Sequence, residues 1–182
     1  MNGAINIPAV WFDFYGRLIP GIASVIVNFG LFGIAFSTLS IAQIGAMGAM
    51  AFLIGHTVQP LSSFFARIYE DDLLNGREKI QVINSQLIDT KEMESGIQSK
   101  QFSEAVGFLS AAILFVFQIF WQEMISVNST IMNFPFHPEN FLLKWYCFPP
   151  LSILMIALGM QRVRALVRRK ERVVERFGSA SS

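Results

Sequence analysis

Apolar residues in this chain fall in long unbroken runs rather than in short stripes. Between Arg17 and Arg67 no charged residue interrupts the sequence. As one straight helix that run would extend roughly 73 Å, at about 1.5 Å per residue. A bilayer core is about 30 Å thick and is crossed by about 20 residues. The run therefore predicts two spans folded back on each other, at 19–38 and 43–65. The turn between them should fall in the most polar part, Ser37-Thr38-Leu39-Ser40-Ile41-Ala42-Gln43. A third uncharged run covers Ala105 to Gln122. A fourth covers Trp145 to Gln161 and extends back over Phe141-Leu142-Leu143 if the Lys144 side chain reaches up to the surface. Both lie at the lower limit for a span. Trp121 and Trp145-Tyr146 suit an aromatic belt at one face. The competing explanation is a set of buried helices in a soluble protein, which fits poorly with so many long apolar segments in one short chain.

The pattern implies an all-α integral membrane protein with four transmembrane helices and cytoplasmic helical extensions. It divides into residues 1–66, an N-terminal segment and the first transmembrane hairpin; 67–104, a cytoplasmic helical hairpin; 105–161, the third and fourth spans with an outer loop at 123–140; and 162–182, a basic helix and flexible tail. The N-terminal segment is dense in aromatics, and Asp13 and Arg17 have the i, i+4 spacing of a helical ion pair. It reads either as a short interfacial helix bent into the first span at Pro20-Gly21 or as an extension of that span. The 67–104 segment is too long for an unstructured loop. Ile80, Ile83 and Leu87 follow helical spacing, and Asn75-Gly76 marks a helix end. Its narrow apolar stripe needs a partner, either the C-terminal helix or a neighbouring subunit. Pro135 and Pro138 predict a non-helical outer loop, in which Asn128-Ser129-Thr130 is a weak glycosylation sequon. Pro149-Pro150 predict a kinked or unwound place within the fourth span.

Composition sharpens this reading. The chain is 53% hydrophobic but only 15% charged, with mean hydropathy +0.47, against about 25% charged residues in soluble domains. Eighteen Phe and three Tyr point the same way. The net charge of +1 selects no nucleic-acid or acidic partner. Its distribution is more informative. With both termini inside, all but Lys144 of the 14 Lys and Arg face the cytoplasm, which fixes the orientation by the positive-inside rule. The expected location is a bacterial inner membrane. The first apolar run lacks a basic leader and is too long for a signal-peptide core, so no cleavable signal is expected.

Candidate chemistry is sparse. Walker A, Gly-x-Ser-x-Gly and His-Glu-x-x-His patterns are absent, and Cys147 is the sole cysteine, so neither an enzyme, a cofactor nor a metal centre is expected. Within the spans Asn28, His56, Gln59 and Gln118 are candidate pore or gate residues, because polar groups in lipid are costly unless they face water or protein. The alternative for each is an interhelical hydrogen bond. His56 leans towards function, since an imidazole titrates near neutral pH. Gly45 with Ala49, and Ala51 with Gly55, are small-x-x-x-small pairs that allow close packing, within a subunit or between subunits. Arg77, Lys79, Arg164, Arg168, Arg169, Lys170 and Arg172 are candidate phosphate contacts. Their ligand would be either an anionic lipid surface or a nucleotide or oligonucleotide signal.

The stretch Phe12-Asp13-Phe14-Tyr15-Gly16-Arg17-Leu18-Ile19-Pro20-Gly21, with the layout of spans, resembles small four-helix bacterial membrane proteins of anti-phage defence systems, of the Hailong, Kiwa and CBASS-like kind. The resemblance implies a homo-oligomeric effector whose cytoplasmic part responds to a signal or a partner by opening an ion-conducting path. The other expectation is a non-conducting scaffold or sensor that recruits a cytoplasmic partner protein.

Overall fold

The computed structural model describes residues 7–29, 39–74, 80, 83–84, 92–132 and 145–178. Helix α1 (Ile7–Asp13) passes through a π-helical turn, Phe14–Leu18, into α2 (Ile19–Phe29). Then follow α3 (Ile41–Leu73), α4 (Glu92–Met132), a 3-10 turn over Trp145–Cys147, and α5 (Phe148–Gly178). The described residues are all-helical apart from turns and caps. Four stretches are long and apolar enough to cross a membrane: Val10–Asn28, Ile41–Leu73, Met93–Ile125 and Phe148–Arg176.

Helix α3 begins where the polar turn was expected. Ser40 caps it, with Ser40 Oγ accepting from the Gln43 N–H and the Gln43 side chain accepting from the Ser40 N–H. This reciprocal pair satisfies two groups that a helix start otherwise leaves open. The helix stops at Leu73, just before Asn75-Gly76, with the Leu74 N–H donating to the Glu70 carbonyl.

Small residues set the register between helices. A Cβ at Gly21 would lie 1.7 Å from the Ala51 carbonyl oxygen, and one at Gly55 would lie 1.8 Å from that of Arg17. The α2 stretch therefore runs antiparallel to α3 with backbones in contact. Gly107 in α4 meets the Tyr15 carbonyl in the same way, at 2.3 Å. Helix α5 lies antiparallel on α4, with Gly159 against Leu109 and Ala105. One apolar core joins Ala66, Ala105, Val106 and Val163, all fully buried. A second, nearer the other end, joins Val27, Phe115 and Phe148.

The sequence leaves two readings of the N-terminal segment open; two other expectations are corrected. Helical backbone continues through Pro20-Gly21 from Ile7 to Phe29, and among the described residues an apolar stretch covers Val10–Asn28. The π-helical turn lies immediately ahead of Pro20, and the Ile19 N–H reaches the Phe14 carbonyl. Local rewinding thus absorbs the missing proline N–H without a break; residues 30–38 lie outside the described ones. The outer segment is helical up to Met132 rather than a loop from 123. The prolines behind the loop reading lie beyond that point, and Ile125 is buried. Pro149 and Pro150 do not kink a span. They occupy the first turn of α5, where a backbone N–H has no helical partner to lose.

Candidate functional site

The four polar span residues are placed very differently. Gln59 is buried, and its Oε1 accepts from Arg17 Nε at 2.8 Å. Arg17 also pairs with Asp13, as the i, i+4 spacing predicts, and its guanidinium lies 5.8 Å from the centre of the Phe52 ring. Gln59 is therefore a strut between α3 and the π-helical turn. Asn28 and Gln118 meet at Ser24. Asn28 Nδ2 donates to the Ser24 carbonyl at 2.8 Å, and Gln118 Nε2 donates to Ser24 Oγ at 3.3 Å.

His56 is the exception. The face of α3 that packs inward carries Ala51, Gly55, Val58, Gln59, Ser62, Ala66 and Glu70. His56, one residue past Gly55, is exposed. Among the described residues its ring meets only Phe52, stacked at 6.2 Å between centroids. Thr57 beside it is exposed too, its hydroxyl donating to the Ile54 carbonyl. Pro60 lies inside the helix and removes the N–H that would bond the His56 carbonyl. A polar belt thus interrupts an outer face that otherwise shows Met50, Leu53, Leu61 and Phe64.

The small-residue pairs also separate. Ala51 and Gly55 are used within the protomer, against Gly21 and Arg17. Among the described residues, Gly45 and Gly48 have nothing within 4 Å of where a Cβ would stand.

At the charged end, the basic residues of α5 form two groups. Lys170 pairs with Glu70 of α3. Arg169 holds Glu94 of α4 with a two-pronged contact at 2.6 and 2.9 Å, and Arg162 reaches Glu104 at 3.3 Å. Arg164 donates to the Tyr69 hydroxyl at 2.7 Å. Arg168 and Arg172 stay exposed, with Arg172 Nε on the Arg168 carbonyl. Arg77 and Lys79 lie outside the described residues. Three of the expected phosphate contacts, Arg164, Arg169 and Lys170, are thus engaged in clamping three helices together.

Sequence reasoning missed two kinds of partner. The acidic residues at 70, 94 and 104 are the inward partners of the basic helix; their place among charged neighbours gave no sign of it. Ser62 and Ser110 join α3 to α4 through a buried hydroxyl pair at 2.8 Å, and the 3/4 spacing of Ala51, Gly55, Ser62 and Ala66 would have placed Ser62 inward. Among the described residues no group of His, Cys, Asp and Glu is arranged to hold a metal ion. Neither a protein-family profile, nor a characterised protein, nor a solved structure matches the chain.

Proposed function

We propose that the chain is an oligomeric membrane effector whose copies surround an ion-conducting path lined by the outer face of α3. A ligand or partner protein acting at the cytoplasmic face opens it. One observation carries the reading: the exposed His56 and Thr57 interrupt an otherwise apolar outer face of α3. In lipid such groups are costly, so they belong against water or another copy. Four helices enclose no wide aqueous path, which places the pore on an axis between copies. The open surface around Gly45 and Gly48 suits that contact.

The ends of the uncharged runs support the membrane placement. Glu104 and Arg162 pair, and Ala66, next to Arg67, packs against Ala105, so three runs end at one level. From that level residues 105–122 rise about 27 Å, close to the roughly 30 Å of a bilayer core. Phe12 stacks on Phe102 at 6.2 Å, which puts Asp13 near the boundary. Arg17 then sits one turn deeper and reaches back to Asp13, as long cationic side chains do. The excess of Lys and Arg at this end makes it cytoplasmic. A bacterial inner membrane and a role in anti-phage defence rest on the resemblance of residues 12–21.

A second reading, a non-conducting scaffold, is favoured by the exposed side chains of Arg164, Arg168, Arg172 and Arg176 along one side of α5. They offer a basic stripe to lipid headgroups or to an acidic partner. The oligomer is tested by Gly45→Leu with Gly48→Leu. Their surroundings are open, so the thermal midpoint of the protomer should stay within about 2 °C. Self-association should weaken by tenfold or more, about 1.4 kcal/mol or above, read as a shift towards protomer mass in detergent. A wild-type protomer mass, or an oligomer indifferent to both leucines, overturns the assembly.

A further inference from the structure

A groove of about 470 Å³ opens between α2, α3 and α4, within the usual size range of small-molecule sites. Ser24, Asn28 and Gln118 supply its polar atoms; Met50, Phe117 and Trp121 represent its apolar walls. Two amide oxygens here have no partner among the described residues. Asn28 Oδ1 and Gln118 Oε1 are both shut off from solvent, and neither accepts a hydrogen bond from those residues. Gln118 as a whole is only 6% exposed. The Asn28 amide is oriented by its own contact: its nitrogen donates to the Ser24 carbonyl, which can only accept. Its oxygen therefore points away, looking for a donor. Buried acceptors left unpaired are rare in folded proteins and call for an explanation.

The lining defines what would satisfy them. Among the described residues no charged side chain lines the groove, so a cationic head would be buried without a counter-charge from them. The fitting molecule is neutral, carries two neighbouring hydrogen-bond donors and has an apolar body. The groove is open on the side of Phe117 and Phe120, which are exposed and, in the membrane placement above, face the acyl chains. We propose that it binds a neutral hydroxylated lipid of the monoacylglycerol class. The two hydroxyls donate to Asn28 Oδ1 and Gln118 Oε1, and the acyl chain lies along the aromatic wall. The site rests on the membrane placement and is independent of assembly and conduction.

The test uses the full chain purified in detergent, with 1-oleoylglycerol as probe and methyl oleate, which has no donor, as control. At roughly a hundred times its dissociation constant, 1-oleoylglycerol should raise the thermal midpoint by about 5 °C, and methyl oleate should not. Asn28→Leu and Gln118→Met should each weaken the affinity about tenfold, which roughly halves the shift at the same lipid concentration. Each variant loses the amide's bond to Ser24 together with the unpaired acceptor, so the lipid response is read as the shift from that variant's own unliganded midpoint. The proposal falls if both lipids shift the midpoint equally, if neither does, or if the double variant responds like wild type. That last result would mean that ordered water satisfies the two oxygens. Should the double variant not fold, the wild-type comparison of the two lipids decides alone. Recovery of the chain in alkali-washed membranes tests the placement separately.

Discussion

Gly55→Val should destabilise the protein strongly. The added Cβ would stand 1.8 Å from the Arg17 carbonyl oxygen and 2.6 Å from its carbon. These are backbone atoms in a helical turn, so no side chain can rotate out of the way. The stretch from α1 to α2 would have to lift off α3, taking the Arg17–Gln59 contact and the neighbouring approach of Gly21 to Ala51 with it. Overpacking a core typically costs about 1–3 kcal/mol, and more where nothing yields. Here at least about 3 kcal/mol is expected, a fall of roughly 10 °C in the thermal midpoint for a chain of this size. Gly45→Val is the matched control. It carries the same penalty for a β-branched residue in a helix but meets open space, so its midpoint should move little. Equal effects at both positions would contradict the close packing described for Gly55.

The second large effect is expected from Glu70→Ala. Glu70 and Lys170 are the least exposed of the ion pairs, with side chains 9% and 19% accessible. Deleting the carboxylate leaves an ammonium half-enclosed between α3 and α5 with its partner gone. Breaking buried pairs costs about 3–5 kcal/mol, and this partly exposed pair should cost about 2. Replacing both residues by leucine should restore most of the loss, because the pair itself repays little beyond its own desolvation. Hydrogen exchange should locate the damage, with protection lost around residues 162–176 while the Ser62–Ser110 level holds. A single variant with a wild-type midpoint would show that the clamp contributes nothing. A double variant worse than the single one would show that the pair is a net stabiliser.

The sequence exposes the spans because charge is absent from them, and absence is easy to read. It exposes less of their limits. Helices α3 and α4 run well past the uncharged runs because the polar segments keep helical spacing and find charge partners on α5. Which acid meets which base depends on the offset between helices. Gly21, Gly55, Gly107 and Gly159 set that offset through contacts at least thirty residues apart in sequence. The same offset decides the polar span residues. Once Gly55 faces inward, Gln59 one turn on is carried inside and His56 is carried out. Polarity marked both residues, but only the packing of α2 on α3 separates them. The continuity through Pro20 stayed one of two open readings for a different reason. A π-helical turn leaves no residue signature, and the proline beside it looks like a break.

The central claim, that copies of α3 line an ion path through a membrane, is tested most directly by current across a planar bilayer holding the reconstituted chain. Discrete openings are expected, either spontaneous or on addition of the cytoplasmic signal, and their conductance should change with His56→Ala while the midpoint and the oligomer mass stay at wild-type values. Silent bilayers from protein shown to be inserted and oligomeric, or openings indifferent to residue 56, would contradict it.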